Sequence, residues 1–530
     1  VPVTADRRPD RYLIIAGALA LAVLLPVSVL LSAWRGDESE TWRHLVDTVL
    51  WRLLGHTAWL VIGVGIGVLL LGVSLAWLVA TQDFPGRRVL DWALLLPLAM
   101  PAYVLAFVVV QGLDYAGPVQ TALRQWWPGF SGFSARHPLW VIATLSLVFY
   151  PYVYMLARLA FLTQGRAVME QARLLGRGPW AAFFQVALPM ARPAIAAGLA
   201  LALMETLADF GAVSVFNFDT FTTAIYKSWY GLFNLAAAAQ LASLLLLFVL
   251  LALWLERRGR GRARYGDRGG RPMVAVRSRW AWLMTCYAGL VVVLAFVLPA
   301  GRLLYWTLDD VARGLDARFM SLALRTLTLG ISAGVLVVGL ASVLAWLQRL
   351  RPHRLMRALV RTATMGYALP GSVLAVGIVI GFAAIDRQLG QWFGWRQLLV
   401  GSLGALFLAY VIRFMAVAFG PVESALERVR PALLEAARTL GAQPLEAARR
   451  VLLPMVAPGL ITALLLVGID IMKEMPATLL LRPFGWDTLA VRIYELTAEG
   501  EWQRAALPSL ALVAVGLLPV YLLVRRLRHF

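Results

Sequence analysis

The sequence predicts an all-α fold: a polytopic membrane protein of about 12 transmembrane helices, in two parallel-repeat halves of six spans each. Three observations lead there. The chain is 60% hydrophobic with mean hydropathy +0.74, well above an ordinary soluble domain. Apolar runs of about 20 residues recur along it, the length that crosses the hydrocarbon core as a helix. A polar motif also occurs twice at one spacing. Glu170-Gln171-Ala172-Arg173-Leu174-Leu175-Gly176 is followed after nine residues by Val186-Ala187-Leu188-Pro189; Glu435-Ala436-Ala437-Arg438-Thr439-Leu440-Gly441 is followed likewise by Val451-Leu452-Leu453-Pro454. The Glu, the Gly and the final Pro each lie 265 residues from their counterparts, half of 530, so the chain reads as a tandem duplication.

Taken in order, Arg7, Arg8 and Arg11 precede a first span at 12–34, and Asp37, Glu38, Glu40 and Asp47 follow it. The run is too long for a signal peptide and lacks a cleavage-like site, which predicts a retained span. Further spans fall at 57–80, 89–112 (with Pro97 and Pro101), 138–161, from Pro193, and 233–255. Residues 257–279 carry nine arginines among glycines, the composition of a cytoplasmic linker near anionic lipid head groups. The plan then repeats: 280–304, 325–347, 362–384, 398–420, from Pro458, and 506–525. The expected division is a first half at 1–256, the linker at 257–279 and a second half at 280–530. Six spans between the motifs put both on one face of the membrane, and an even number per half makes the repeats parallel. Arginine clusters on that face mark it as cytoplasmic and place both termini there.

The net charge of +20 rests on arginine, Lys227 and Lys473 being the lysines. Its placement between apolar spans fits the positive-inside pattern better than nucleic-acid binding. Cys286 is single and the five histidines are scattered, so no disulfide, stable metal site or catalytic constellation is expected. No Gly-x-x-x-x-Gly-Lys-Ser/Thr loop is present; Lys227-Ser228 has Tyr226 where glycine is needed. No cofactor is expected on this chain.

Each repeated motif reads as two short helices at a bend. The Glu-Ala-Ala run favours helix, and Gly176 or Gly441 allows a left-handed C-terminal cap. Pro179 or Pro444 suits the first turn of a second helix. Pro189 and Pro454 are expected to break that helix before the next span. The pattern Glu-x-Ala-x-x-x-Gly, nine residues, x-x-Leu-Pro resembles the coupling loop of binding-protein-dependent ABC importer permeases, here in a fused form with both halves in one polypeptide. Gln171 stands where that family prefers Ala. The resemblance implies cytoplasmic coupling loops at 165–189 and 430–454, with Glu170, Ala172, Gly176 and Pro189, then Glu435, Ala437, Gly441 and Pro454, against an ATPase subunit. It further implies two copies of a separate ABC ATPase carrying ATP and Mg, a periplasmic substrate-binding protein and residence in the bacterial inner membrane. The chain itself would be a transport subunit, not an enzyme. The glutamates would meet a basic group of the ATPase; the simpler reading gives them only solubility and helix-start charge.

Glu205 and Asp209, and again Asp470 and Glu474, are four apart, with 265 residues between equivalents. About 18 and 24 Å along their helices, such acids are costly unless they face a polar path or a partner. One reading makes them a cation path, attended by Tyr150 and Tyr154, whose alternative is aromatic packing. The other pairs Asp470 or Glu474 with Lys473 or a nearby arginine as structure. Gly211 and Pro476 are expected to interrupt the spans just beyond the acids. The runs Met204–Gly211, Asp219–Tyr226, Lys473–Pro483 and Tyr150–Tyr154 resemble ferric-iron ABC permeases, which implies ferric iron as cargo. Thiamine, a polyamine or a phosphonate is the alternative within the class. A major-facilitator-type secondary transporter, with twelve spans but no need of coupling loops, is the alternative outside it.

Overall fold

Runs of Leu, Val and Ala satisfy their backbone groups internally in the only way an open chain can in lipid, as helices. The computed structural model describes residues 11–35, 39–163, 178–260, 276–277, 279–309, 315–394, 398–441 and 443–527. Eleven helices there are long and apolar enough to cross a membrane, from Tyr12–Arg35 to Arg449–Lys473, and a shorter apolar helix, Ala506–Leu522, follows. The only strands among the described residues are a two-residue parallel pair, Gln82–Asp83 with Val276–Arg277. Helix Leu235–Arg260 runs four residues into the stretch read as linker, and 261–275 lie outside the described residues.

The repeat is legible helix by helix. In the first half, a short helix Arg87–Ala93, a 3-10 turn Leu96–Ala99 and helix Ala102–Leu113 succeed one another. In the second, Arg354–Thr364, Met365–Ala368 and Gly371–Phe393 do the same. Pro101 and Pro370 are the N-caps of the third members, with extended backbone. Hydropathy alone predicts single spans at 89–112 and 362–384, the second leaving Arg354, Arg357 and Arg361 in the stretch before it. Proline holds the residue before it out of the helical region and donates no N–H, so the span is built instead from two helices and a turn.

Contacts group the chain into two units: Val1–Asp37, Asn234–Ser243 and Met320–Val491, and Glu38–Phe233, Leu244–Phe319 and Arg492–Phe530. In the former, helix Arg11–Ser32 packs on Gly371–Phe393, and Leu403–Glu427 on Leu453–Lys473. In the latter, Trp51–Thr81, Pro138–Thr163 and Leu188–Ala208 pack on one another, with Gly72 and Gly198 both pressed against Val153. The sequence repeats and the contact units are therefore different divisions: the leading helix of each half is grouped with the body of the other. Helices long enough to cross the membrane on their own are free to dock wherever their apolar faces fit best.

Candidate functional site

Helices Leu188–Ala208 and Leu453–Lys473 have the same length and the same 265-residue offset. Each is entered through a five-residue π turn, Phe183–Ala187 or Ala448–Leu452. The expected break at Pro189 and Pro454 does not occur. Both prolines sit in the first turn of a helix that continues directly from the π turn. In the first copy, the Leu188 N–H donates to the Phe183 carbonyl, one residue wider than α spacing. That widening makes room for a ring that donates no N–H and would otherwise clash with the preceding turn.

Of the two stretches expected to be coupling loops, the second is described almost whole. Helix Pro431–Thr439 ends in a turn at Gly441, whose φ of +86° is the left-handed value that the sequence called for. Glu435 is exposed, Ala437 half-buried, and Leu440 is 88% exposed at the bend, a leucine offered to solvent or to a partner. The loop stands on a fixed base. Arg349 donates to the carbonyls of Leu426 and Val429, the end of the preceding helix, and Gln348 donates to Glu423 at 2.8 Å. In the first loop, Glu170, Ala172 and Gly176 lie outside the described residues.

At the other end of these helices the acids occupy a break. Helix Leu188–Ala208 stops at Asp209 (φ −66°, ψ 128°), and Leu453–Lys473 stops at Glu474 (φ −68°, ψ 113°). The interruption thus falls on the second acid of each pair, not beyond it. Gly211 and Pro476 begin the short helices that follow, Gly211–Val215 and Pro476–Leu481. The backbone groups freed by the break are met locally, as a membrane interior demands. The N–H of Asp209 reaches the Thr206 carbonyl at 3.3 Å, and that of Glu474 the Ile471 carbonyl at 3.1 Å. The Thr222 hydroxyl donates to the Asp209 carbonyl at 2.7 Å; Thr478 does so to Glu474 at 2.7 Å.

Their carboxylates have different company. Asp209 is half-buried, and its Oδ1 accepts the Val213 N–H at 3.1 Å. Glu474 is buried; its Oε1 accepts the Ala477 N–H at 3.1 Å, and its Oε2 lies 3.0 Å from Arg413 Nε. That approach is a charge pair without an aligned Nε hydrogen. Arg413, 7% exposed, also donates from Nη1 to the Leu369 carbonyl at 2.8 Å. One arginine therefore ties the break at Glu474 to the break at Pro370. A Cβ on Gly371 would stand 2.5 Å from Glu474 Oε1, so this close approach requires glycine. Asp470 and Glu205 are half-buried, as is Lys473.

Tyr150 and Tyr154 are fully buried. Tyr150 donates to the Leu94 carbonyl at 2.8 Å. Tyr154 donates to Asp91, at 3.0 Å to its carbonyl and 2.9 Å to Oδ1, and Asp91 is paired with Arg158 at 2.5 Å. Both phenols fasten the Arg87–Ala99 segment to helix Pro138–Thr163, the packing alternative of the sequence reading. Among the described residues, no three His, Cys, Asp or Glu side chains gather to hold a metal. Residue spacing does not single out Arg413; its visible sign is a lone arginine within the apolar run Leu406–Gly420.

These breaks and π turns, each present twice, belong to a twice-built membrane transporter. The chain belongs to the family of binding-protein-dependent transport system inner membrane components, whose model matches residues 68–261 and 326–529. It is thus a permease of the ABC importer type, a transport subunit with the family domain present twice. Fe(3+)-transport system permease protein FbpB 2 of Haemophilus influenzae is 27% identical over 527 residues, 98% of each chain. Molybdenum transport system permease protein ModB of Escherichia coli is 31% identical over 202 residues, 36% of this chain and 87% of its own. Putative 2-aminoethylphosphonate transport system permease protein PhnV of Salmonella paratyphi A is 29% identical over 226 residues, 42% of this chain and 78% of its own.

Proposed function

We propose that this permease moves ferric iron, handed over by a periplasmic binding protein, across the inner membrane into the cytoplasm. The observation that carries the cargo is the likeness to the ferric permease across both halves and 98% of each chain. The acids at the helix breaks agree with it, since carboxylate oxygens suit a hard cation. Two coupling loops, 165–189 and 430–454, seat two copies of a separate ABC ATPase on the cytoplasmic face. Glu170 and Glu435 face that subunit, and both termini lie on its side. ATP and Mg act on the ATPase.

Closure of the ATPase pair switches the permease between inward- and outward-facing states as a rigid-body change. It does so only because the ATPases bind the two states with different affinity. Along the path, Asp209 with Glu205 and Asp470 draws the cation by transient electrostatic guidance, since a tight site would stall release. Glu474, already paired with Arg413, holds the break in shape, as Tyr150 and Tyr154 hold theirs.

An oxyanion cargo is the second reading, favoured by the higher identity to the molybdenum permease over a shorter stretch. The test is labelled uptake into proteoliposomes holding the chain, its ATPase and its binding protein, with ferric iron, molybdate and 2-aminoethylphosphonate compared. ATP-dependent uptake of iron is expected. Uptake of an oxyanion without iron would overturn the cargo, and uptake surviving without the ATPase would overturn the coupling.

A further inference from the structure

Asp209 lies beside a cluster of phenols that none of the site residues above includes. Thr222, which donates to the Asp209 carbonyl at 2.7 Å, lies in the short helix Phe221–Tyr226. Tyr226 is four residues on, hence on the same helical face. The ring of Phe210, next to Asp209, is 5.2 Å from the Tyr226 ring and 5.3 Å from that of Tyr494. Tyr226 and Tyr494 meet edge to face at 6.3 Å, and the Tyr494 hydroxyl interacts with those of Ser214 and Tyr226. Tyr230 stacks on Tyr226 at 5.2 Å. Exposure is graded, from buried Phe210 through half-buried Tyr226 and Tyr494 to Tyr230, 43% exposed.

The two central tyrosines are one position of the repeat. Asp219-Thr220 stands seven residues before Tyr226, and Asp487-Thr488 seven before Tyr494. Thr220 caps its helix with a reciprocal capping box, and Thr488 accepts the Val491 N–H at 3.4 Å. The cations next to the pair are occupied within their own segments: Lys227 with Asp219 at 2.5 Å, and Arg492 with Glu495 at 3.3 Å. The hydroxyls are left facing one another and Ser214, whose neighbour Val213 donates its N–H to the Asp209 carboxylate at 3.1 Å.

We propose that Tyr226 and Tyr494, with Asp209, form a passing site for a hard trivalent cation and set the specificity of the permease for it. This rests on the ferric reading. A trivalent ion displaces phenol protons that water alone does not, as bound cations do to their ligands, and phenolate and carboxylate oxygens are hard donors. Three protein ligands leave the coordination sphere to be completed by water, so the ion is selected without being trapped. A path for an oxyanion would have no use for this donor set.

The test uses the purified full-length chain in nanodiscs, titrated with ferric nitrilotriacetate and followed by visible absorption for a phenolate-to-iron charge-transfer band. The band is expected in the wild type, lost in Tyr226→Phe/Tyr494→Phe, and retained in Tyr521→Phe, a tyrosine 61% exposed elsewhere on the chain. In proteoliposomes the double variant should take up ferric iron about tenfold more slowly, the worth of roughly one lost ligand contact. Phenylalanine keeps the ring packing on Phe210, and binding of the ATPase, read in parallel, should be unchanged. No band in the wild type, or a band and an uptake rate untouched in the double variant, would overturn the passing site and leave the ferric reading standing. Failure of the wild type to import ferric iron would remove both.

Discussion

The two helix breaks, at Asp209 and at Glu474, are the same piece of architecture in two different settings. Both follow a π turn and a 21-residue helix, both present an extended acid, and both have its carbonyl capped by a threonine. In the second half the acid is buried and matched by Arg413; in the first it is half-buried and met by a backbone N–H. The difference teaches that a duplicated acid need not keep one role. Pairing with an internal cation commits a carboxylate to structure, whereas Asp209, met by the Val213 N–H, is the one the proposed cargo path draws on.

The largest expected effect breaks the pairing. Arg413→Leu leaves Glu474 buried without its cation and should cost about 3–5 kcal/mol of stability, read by unfolding in detergent. Arg413→Leu/Glu474→Leu should recover most of that loss, because removing both charges leaves neither uncompensated. A neutral single variant would show the pair to be incidental.

Gly371→Val sharpens the same point by sterics. Its Cβ would press on Glu474 Oε1 at 2.5 Å and on the Ala477 nitrogen at 3.1 Å, with an expected cost of about 1–3 kcal/mol. The equivalent position of the first half is already Ala102, and Ala102→Gly should bring no comparable change. In the first half, Tyr154→Phe removes one buried hydroxyl from Asp91 while Arg158 keeps its ion pair, and about 1 kcal/mol should be lost. Iron uptake per folded molecule should stay level; a collapse of uptake at unchanged stability would return Tyr154 to the path. Gly441→Val, where φ of +86° strains any side chain by about 1–2 kcal/mol, is read less by stability than by function. Its readout is coupling: ATP hydrolysis should continue while uptake falls, and unchanged uptake would remove the need for the bend.

Much of this was readable from residue types and spacing. The apolar runs set the helices, and the 265-residue offset set the two-fold plan and located both acids. Gly441 was called for by a left-handed cap and has one. What local sequence could not reveal was partnership at a distance. Glu474 and Arg413 stand 61 residues apart in sequence, and their meeting depends on how helix Leu403–Glu427 docks. The same holds for Tyr150 and Tyr154, whose hydroxyls find Leu94 and Asp91. Pro189 and Pro454 misled for a local reason: a π turn absorbs a proline that α spacing would not, and nothing in the residue pattern distinguishes the two outcomes. Pro101 and Pro370 did split their spans, although hydropathy alone runs straight through them.

The contrast between the two acids is tested most directly by Asp209→Asn and Glu474→Gln, each assayed for thermal stability and for ferric uptake per folded molecule. Asparagine still accepts the Val213 N–H, so the first variant should stay as stable as the parent and import iron about tenfold more slowly. Glutamine loses the charge facing Arg413, so the second should be markedly less stable yet import at a near-normal rate. The opposite pattern, with uptake lost at Glu474 and stability lost at Asp209, would contradict the division of roles.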